Sequence, residues 1–216
     1  PIECRPKTFE FLFGTAHLHI AKEGTVRYAK KLDKEYSEGT VSFAMVLEHL
    51  GTREILPVPR KNGGPGQELE YTGLSEPSAW FVSESPALVA STVQNLQKHG
   101  LGQTAVLRGQ DVPTTARVPV HCSFGGIGGA FHGYLIPTIA TISGPWSLWA
   151  PSFGEGAIDF DRMHKQLLAS GDMLLGLHNQ QREVLAGSIP LLRRLRESGV
   201  PTCDHSLPAE QAPGST

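Results

Sequence analysis

Cysteine is scarce in this sequence, a basic excess is missing, and no apolar run reaches the ~20 residues that cross a bilayer. Each absence removes a class of function. Three cysteines, Cys4, Cys122 and Cys203, stand far apart in 216 residues and match no zinc-ligand spacing. An odd, scattered set gives no disulfide framework, so the expectation is free thiols in a reducing compartment. The net charge of −2 leaves no electrostatic footprint for nucleic acid or anionic lipid. Basic residues are interleaved with acids, as in Lys30, Lys31, Asp33, Lys34 and Glu35. The opening PIECRPKTFE carries no apolar signal-like core. Charge is missing altogether from Val118 through Gly154, although 19% of the chain is charged.

What fills that charge-free stretch is unusual. VPVHCSFGGIGGAFHGYLIPTIATIS (118–143) holds Gly125, Gly126, Gly128, Gly129 and Gly133 together with His121, Cys122 and His132. Trp146, Trp149 and Phe153 follow as an aromatic cluster. A segment without charge is buried in the fold, pressed on a ligand, or inserted into something apolar. Pro119, Pro137, Pro145 and Pro151 oppose a membrane helix. The glycines lack the spacing of a dinucleotide fingerprint, and no Gly-Lys-Ser/Thr follows for a P-loop. What remains is a buried pair of strands joined by a glycine-rich turn.

Elsewhere, Thr8–Phe13, Ala16–Ile20, Glu54–Val58, Ala79–Val82, Thr104–Leu107, Ala116–Ser123, Tyr134–Ile142 and Trp146–Ala150 read as strands. Thr25–Tyr28 reads as extended, and Val41–Leu50 as a helix closed by Gly51. PRKNGGPGQ (59–67) is a surface loop. Ser85-Pro86 is a helix start, with the serine as N-cap and the proline in the first turn. Beyond Glu155, three helices are expected over Asp159–Ala169, Asp172–Ala186 and Ser188–Ser198, punctuated by Gly171, Gly187 and Gly199. Strands first and helices last argue for an α+β fold: a mostly antiparallel sheet with helices on one face and a helical C-terminal part. Residues 1–200 form one globular domain on this reading, and 201–216, rich in Pro, Ser, Ala and Gly, a disordered tail.

Three constellations could carry chemistry. In the first, Cys122 is a nucleophile, His132 or His164 its base, and backbone N–H groups near Gly125 and Gly126 stabilise an oxyanion. His121 and Trp149 would help bind a small-molecule or protein substrate. The reaction would be hydrolysis or group transfer at a carbonyl-type centre. The alternative is a small buried cysteine packed among glycines.

In the second, His17 and His19 project from one face of a strand and hold a divalent metal ion, with Glu23 as a third ligand. The string AHLHIAKEG resembles the His-hydrophobic-His strand of rolling-circle and relaxase endonucleases, and Tyr28 with Lys31 echoes their Tyr-x-x-Lys. It also resembles the first half of the cupin motif. Either likeness spans about a dozen residues. The first implies DNA cleavage by a tyrosine, which the lack of basic charge opposes; the second lacks its later histidine motif. Likewise, a strand ending in Ser83-Glu84-Ser85 resembles the serine-bearing strand of mono-ADP-ribosyltransferases, but no Glu-x-Glu or Gln-x-Glu pair follows on a later strand.

In the third, the chain is no enzyme: the charge-free hairpin is the contact surface of a binding, coat or effector protein.

Overall fold

A computed structural model describes residues 8–12, 23–102, 104–109, 124–143 and 153–200. Its first helix, α1 (Glu23–Ser37), buries Ala29, Leu32 and Tyr36, spaced three and four apart along one face. Strand β1 (Ala44–Leu47) follows. A ribbon of β2 (Arg53–Pro59) and β3 (Gln67–Ser75) pairs antiparallel across the expected loop. Next come β4 (Ser78–Val82), α2 (Pro86–Lys98) and β5 (Thr104–Arg108). A short α3 (Gly128–Gly133) leads to β6 (Thr138–Ser143), and α4 (Phe160–His178), α5 (Arg182–Ala186) and α6 (Ile189–Glu197) close the described chain.

The main sheet runs in the order β1-β6-β4-β5. β1 pairs parallel with β6, β5 pairs parallel with β4, and β4 and β6 pair antiparallel. Because strand side chains alternate, each central strand feeds two cores. Phe81 and Ala140 face α1, α3 and α6, with Leu32, Phe131, Leu135 and Leu192. Trp80, Val82 and Ile139 face the other way, onto Leu88, Leu96, Met173 and Leu177 of α2 and α4.

The expected α+β class with a helical C-terminal part is what the chain adopts. Two details differ. The sheet is mixed rather than mostly antiparallel, and helices cover both faces rather than one. The physical reason lies in β4 and β6, where every residue is buried or half-buried, as strands covered on both sides require.

Other segments differ locally. Val41–Leu50 yields a strand, because Met45 and Val46 are needed on opposite faces of the sheet and cannot share a helical stripe. Thr25–Tyr28 is helical, carried by the periodic residues of α1. α4 runs through Gly171 without a break, since capping needs a left-handed glycine at a helix end and Gly171 lies inside the hydrogen-bonded ladder. Residues 8–12 form no strand. Ala16–Ile20, Ala116–Ser123, Trp146–Ala150 and 201–216 lie outside the described residues.

The caps behave as read. Ser85 accepts the Leu88 N–H, with Pro86 in the first turn. Asp159 caps α4 by accepting the Arg162 N–H at 3.0 Å, and it also accepts the Ser75 hydroxyl at 2.7 Å. Those two hydrogen bonds hold its carboxyl below the usual carboxylate range. Arg193 of α6 reaches the carbonyls of Tyr134 and Leu135, the Asp33 carboxylate and the Ser37 hydroxyl, tying α6 to α1 and to the exit of α3.

Candidate functional site

At one end of the main sheet, β4 finishes at Val82 while β6 begins at Thr138 beside it. Ser83 continues β4 by one residue, on the same face as Phe81. Its N–H donates to the Thr138 carbonyl at 2.9 Å, and its Oγ accepts the Thr138 N–H at 2.9 Å. That hydroxyl also meets Nδ1 of His132 at 2.9 Å. Ser83 is fully buried and His132 is 1% exposed. One Oγ lone pair is taken by Thr138, so the hydroxyl serves Nδ1 with its proton or its second lone pair, according to the imidazole tautomer.

Two further residues fix the ring. Phe124 stacks on its face at 4.3 Å and 18°. Gly109 lies against its edge: a Cβ there would stand 2.5 Å from Cε1 and 2.8 Å from Nε2. Gly109 is itself held by its N–H on the Val82 carbonyl at 2.7 Å. These two neighbours are the residues from which 110–123 departs and to which it returns. His121 and Cys122 belong to that segment and lie outside the described residues.

The glycines do something other than turn a hairpin. Gly128 and Gly129 open α3, and a Cβ on Gly128 would strike the Cβ of Ala140. A Cβ on Gly125 would stand 2.6 Å from the Phe81 ring. Gly126 has φ of 68° and presses on the Glu48 carboxylate, which fills the space of any side chain there. The glycines let the backbone lie directly on the sheet, a close approach that only a hydrogen side chain permits. Glu48, just past β1 and 7% exposed, accepts the Ile127 N–H at 2.6 Å. A carboxylate of the protein therefore occupies a donor of the turn expected to receive an oxyanion.

Of the other candidates, only His164 has a described side chain, and it stands apart from His132. His164 is exposed on α4, whose packing is with α2 on the opposite face of the sheet from α3. Glu23 opens α1. His17, His19 and Trp149 lie outside the described residues. Among the described residues no three His, Cys, Asp or Glu side chains are grouped to hold a metal ion, and no helix is long and apolar enough to cross a membrane. The described part of the charge-free stretch, 124–143, is almost wholly buried and presents no broad contact surface.

Glu48 is absent from the candidates read in the sequence, and Ser83 enters there only through the Ser83-Glu84-Ser85 likeness, not as a partner of His132. Ser83 had a readable signal: it shares face parity with Phe81, which directs its hydroxyl away from the helix it precedes. Glu48 is the lone acid in VSFAMVLEHL, placed outward by a helical reading and inward by the strand that forms. No family model, curated protein or solved structure matches the chain.

Proposed function

We propose that the chain is a thiol-dependent hydrolase or group-transfer enzyme, with Cys122 as nucleophile and His132 as its base. One observation carries this reading: Gly109 and Phe124, the two ends of the segment bearing Cys122, both touch the His132 imidazole. The ring is already oriented, with Nδ1 committed to Ser83, so proton transfer falls to Nε2, on the edge that meets Gly109. A base held by a hydroxyl and a stacked ring has the preorganisation that nucleophile activation requires. In the reaction, the Cys122 proton passes to His132 and the sulfur adds to the carbonyl carbon. The leaving group then takes that proton, and water or an acceptor molecule releases the acyl group. Glu48 holds the Ile127 N–H, so oxyanion stabilisation falls to other donors of the site. His164, on the far helical layer, has no part in it.

The test is the pH dependence of Cys122 alkylation by iodoacetamide, followed by peptide mass so that Cys4 and Cys203 are read separately. The expected result is a reactive thiolate well below the ordinary thiol value of about 8.5. Ser83→Ala and His132→Gln should each return it toward that value. A Cys122 that titrates as an ordinary thiol in the unaltered protein would overturn the reading.

A further inference from the structure

The opposite end of the main sheet carries a second polar cluster, on the face that packs against α2 and α4. The strand register builds it. Ser78 of β4 stands between Thr104 of β5 and Ser143 of β6, so three hydroxyl side chains form one row across three strands. The next same-face row pairs Trp80 with Thr141. Neighbours in such rows have Cβ atoms about 4.5–5.5 Å apart. Ser78 and Ser143 are almost fully buried, and Trp80 and Thr141 completely so.

These groups are unusually idle for a protein interior. Trp80 Nε1, Thr104 Oγ1, Thr141 Oγ1 and Ser143 Oγ are buried without a hydrogen-bond partner among the described residues. Most buried polar groups are paired, so a cluster of unpaired ones on one face calls for an explanation, and a bound ion is one that satisfies all of them at once. All four can donate, and the indole N–H can only donate. Above the row, Arg162 of α4 reaches Ser78 Oγ with one guanidinium nitrogen at 3.2 Å. Its charge is partly buried, and the neighbouring Asp159 carboxylate is engaged by the Arg162 backbone N–H and by Ser75. The acid at this end of β4, Glu76, has interactions of its own. The donors therefore lie on the sheet face that Arg162 reaches through Ser78, and Thr104, whose residue is partly exposed, stands at the edge strand β5.

We propose that Thr104, Ser78, Ser143, Trp80 and Thr141, with Arg162 above them, form a binding site for a small oxyanion. The ligand class is one that offers several acceptor oxygens in little volume, such as a phosphate or carboxylate group, free or at the tip of a larger molecule. This site stands at the other end of the sheet from His132 and does not depend on the thiol chemistry.

The indole N–H of Trp80 is the reporter. In the 15N-labelled full chain its signal is assigned by its absence in Trp80→Phe. Titration with inorganic phosphate, and separately with acetate, should move that signal saturably with at least one of them. Thr141→Val removes one donor at nearly constant volume and should weaken binding several-fold. Arg162→Gln should weaken it by about tenfold or more, equivalent to roughly 1.4 kcal/mol. The dispersion of the remaining amide signals reports that each variant is folded. No saturable shift with either anion up to tens of millimolar would overturn the proposal, and so would unchanged binding in folded Arg162→Gln.

Discussion

Single glycines in this chain have opposite meanings, and substitution separates them. Gly126 combines a left-handed φ with a carboxylate in the place of a side chain. Gly126→Ala should destabilise the protein by about 2 kcal/mol or more, because backbone strain adds to displacement of Glu48 from Ile127. Gly171 and Gly176 lie inside α4 with open space around the position of a Cβ. Replacing either by alanine should stabilise by about 0.5–1 kcal/mol, from helix propensity and reduced freedom of the unfolded chain. Urea denaturation midpoints decide both signs. Ser83→Ala removes a hydroxyl from Thr138 and His132 in a dry setting, and should cost about 1–3 kcal/mol by the same measurement. If it costs nothing, the imidazole is not held as described.

At the level of elements, the start of α4 should give the protein a measurable acid sensitivity. Asp159 has a folded-state pKa below its ordinary value of 3.8, so the native state binds that proton less readily than the unfolded chain. Its contribution is fully present above that value and is lost as pH falls through the lower folded value. Asparagine caps a helix as well as aspartate does. Asp159→Asn should therefore keep α4 while flattening the fall in stability below about pH 4, read from denaturation midpoints at a series of pH values.

Elements with local signals were legible in the sequence. Ser85-Pro86 announces α2 because capping and a fixed φ act within one turn, and PRKNGGPGQ announces the loop after β2 for the same reason, although β3 beyond it carries no such signal. Where the deciding contact is distant, the sequence is silent or misleading. VSFAMVLEHL has an apolar pattern that suits a helix stripe, and only β6, some ninety residues later in the chain, makes it a strand. Gly125, Gly126 and Gly128 are explained by Phe81, Glu48 and Ala140, which lie from a dozen to some eighty residues away in sequence. The site divides in the same way. His132 stands out as a histidine in a charge-free stretch, whereas Ser83 becomes its partner only through the β4–β6 register.

Across the whole molecule, the β2–β3 ribbon is a separate two-stranded sheet, and its loop is exposed throughout Arg60–Gly63. Closure cost grows slowly with loop length, at about 0.6 kcal/mol per doubling. Four Gly/Ser residues inserted between Gly63 and Gly64 should therefore lower stability by less than about 1 kcal/mol, measured by urea denaturation. A larger loss would mean that the loop holds more than local contacts such as the Lys61–Glu70 ion pair, the Glu68 hydrogen bond to the Lys61 N–H, and the Gly63 and Gly64 N–H bonds to Arg60 and Asn62.

The order β1-β6-β4-β5 also bears on the sequence of events during synthesis. The strand between β1 and β4 is the last of the four to leave the ribosome. Until Ser143 has emerged, β1 has no neighbour in the sheet, and β4 can pair only with β5. The nascent chain must carry two unjoined apolar pieces through that interval, exposed to self-association and to chaperones. When β6 arrives it joins both at once and brings His132 onto Ser83, so the imidazole finds its partner only when the sheet is completed.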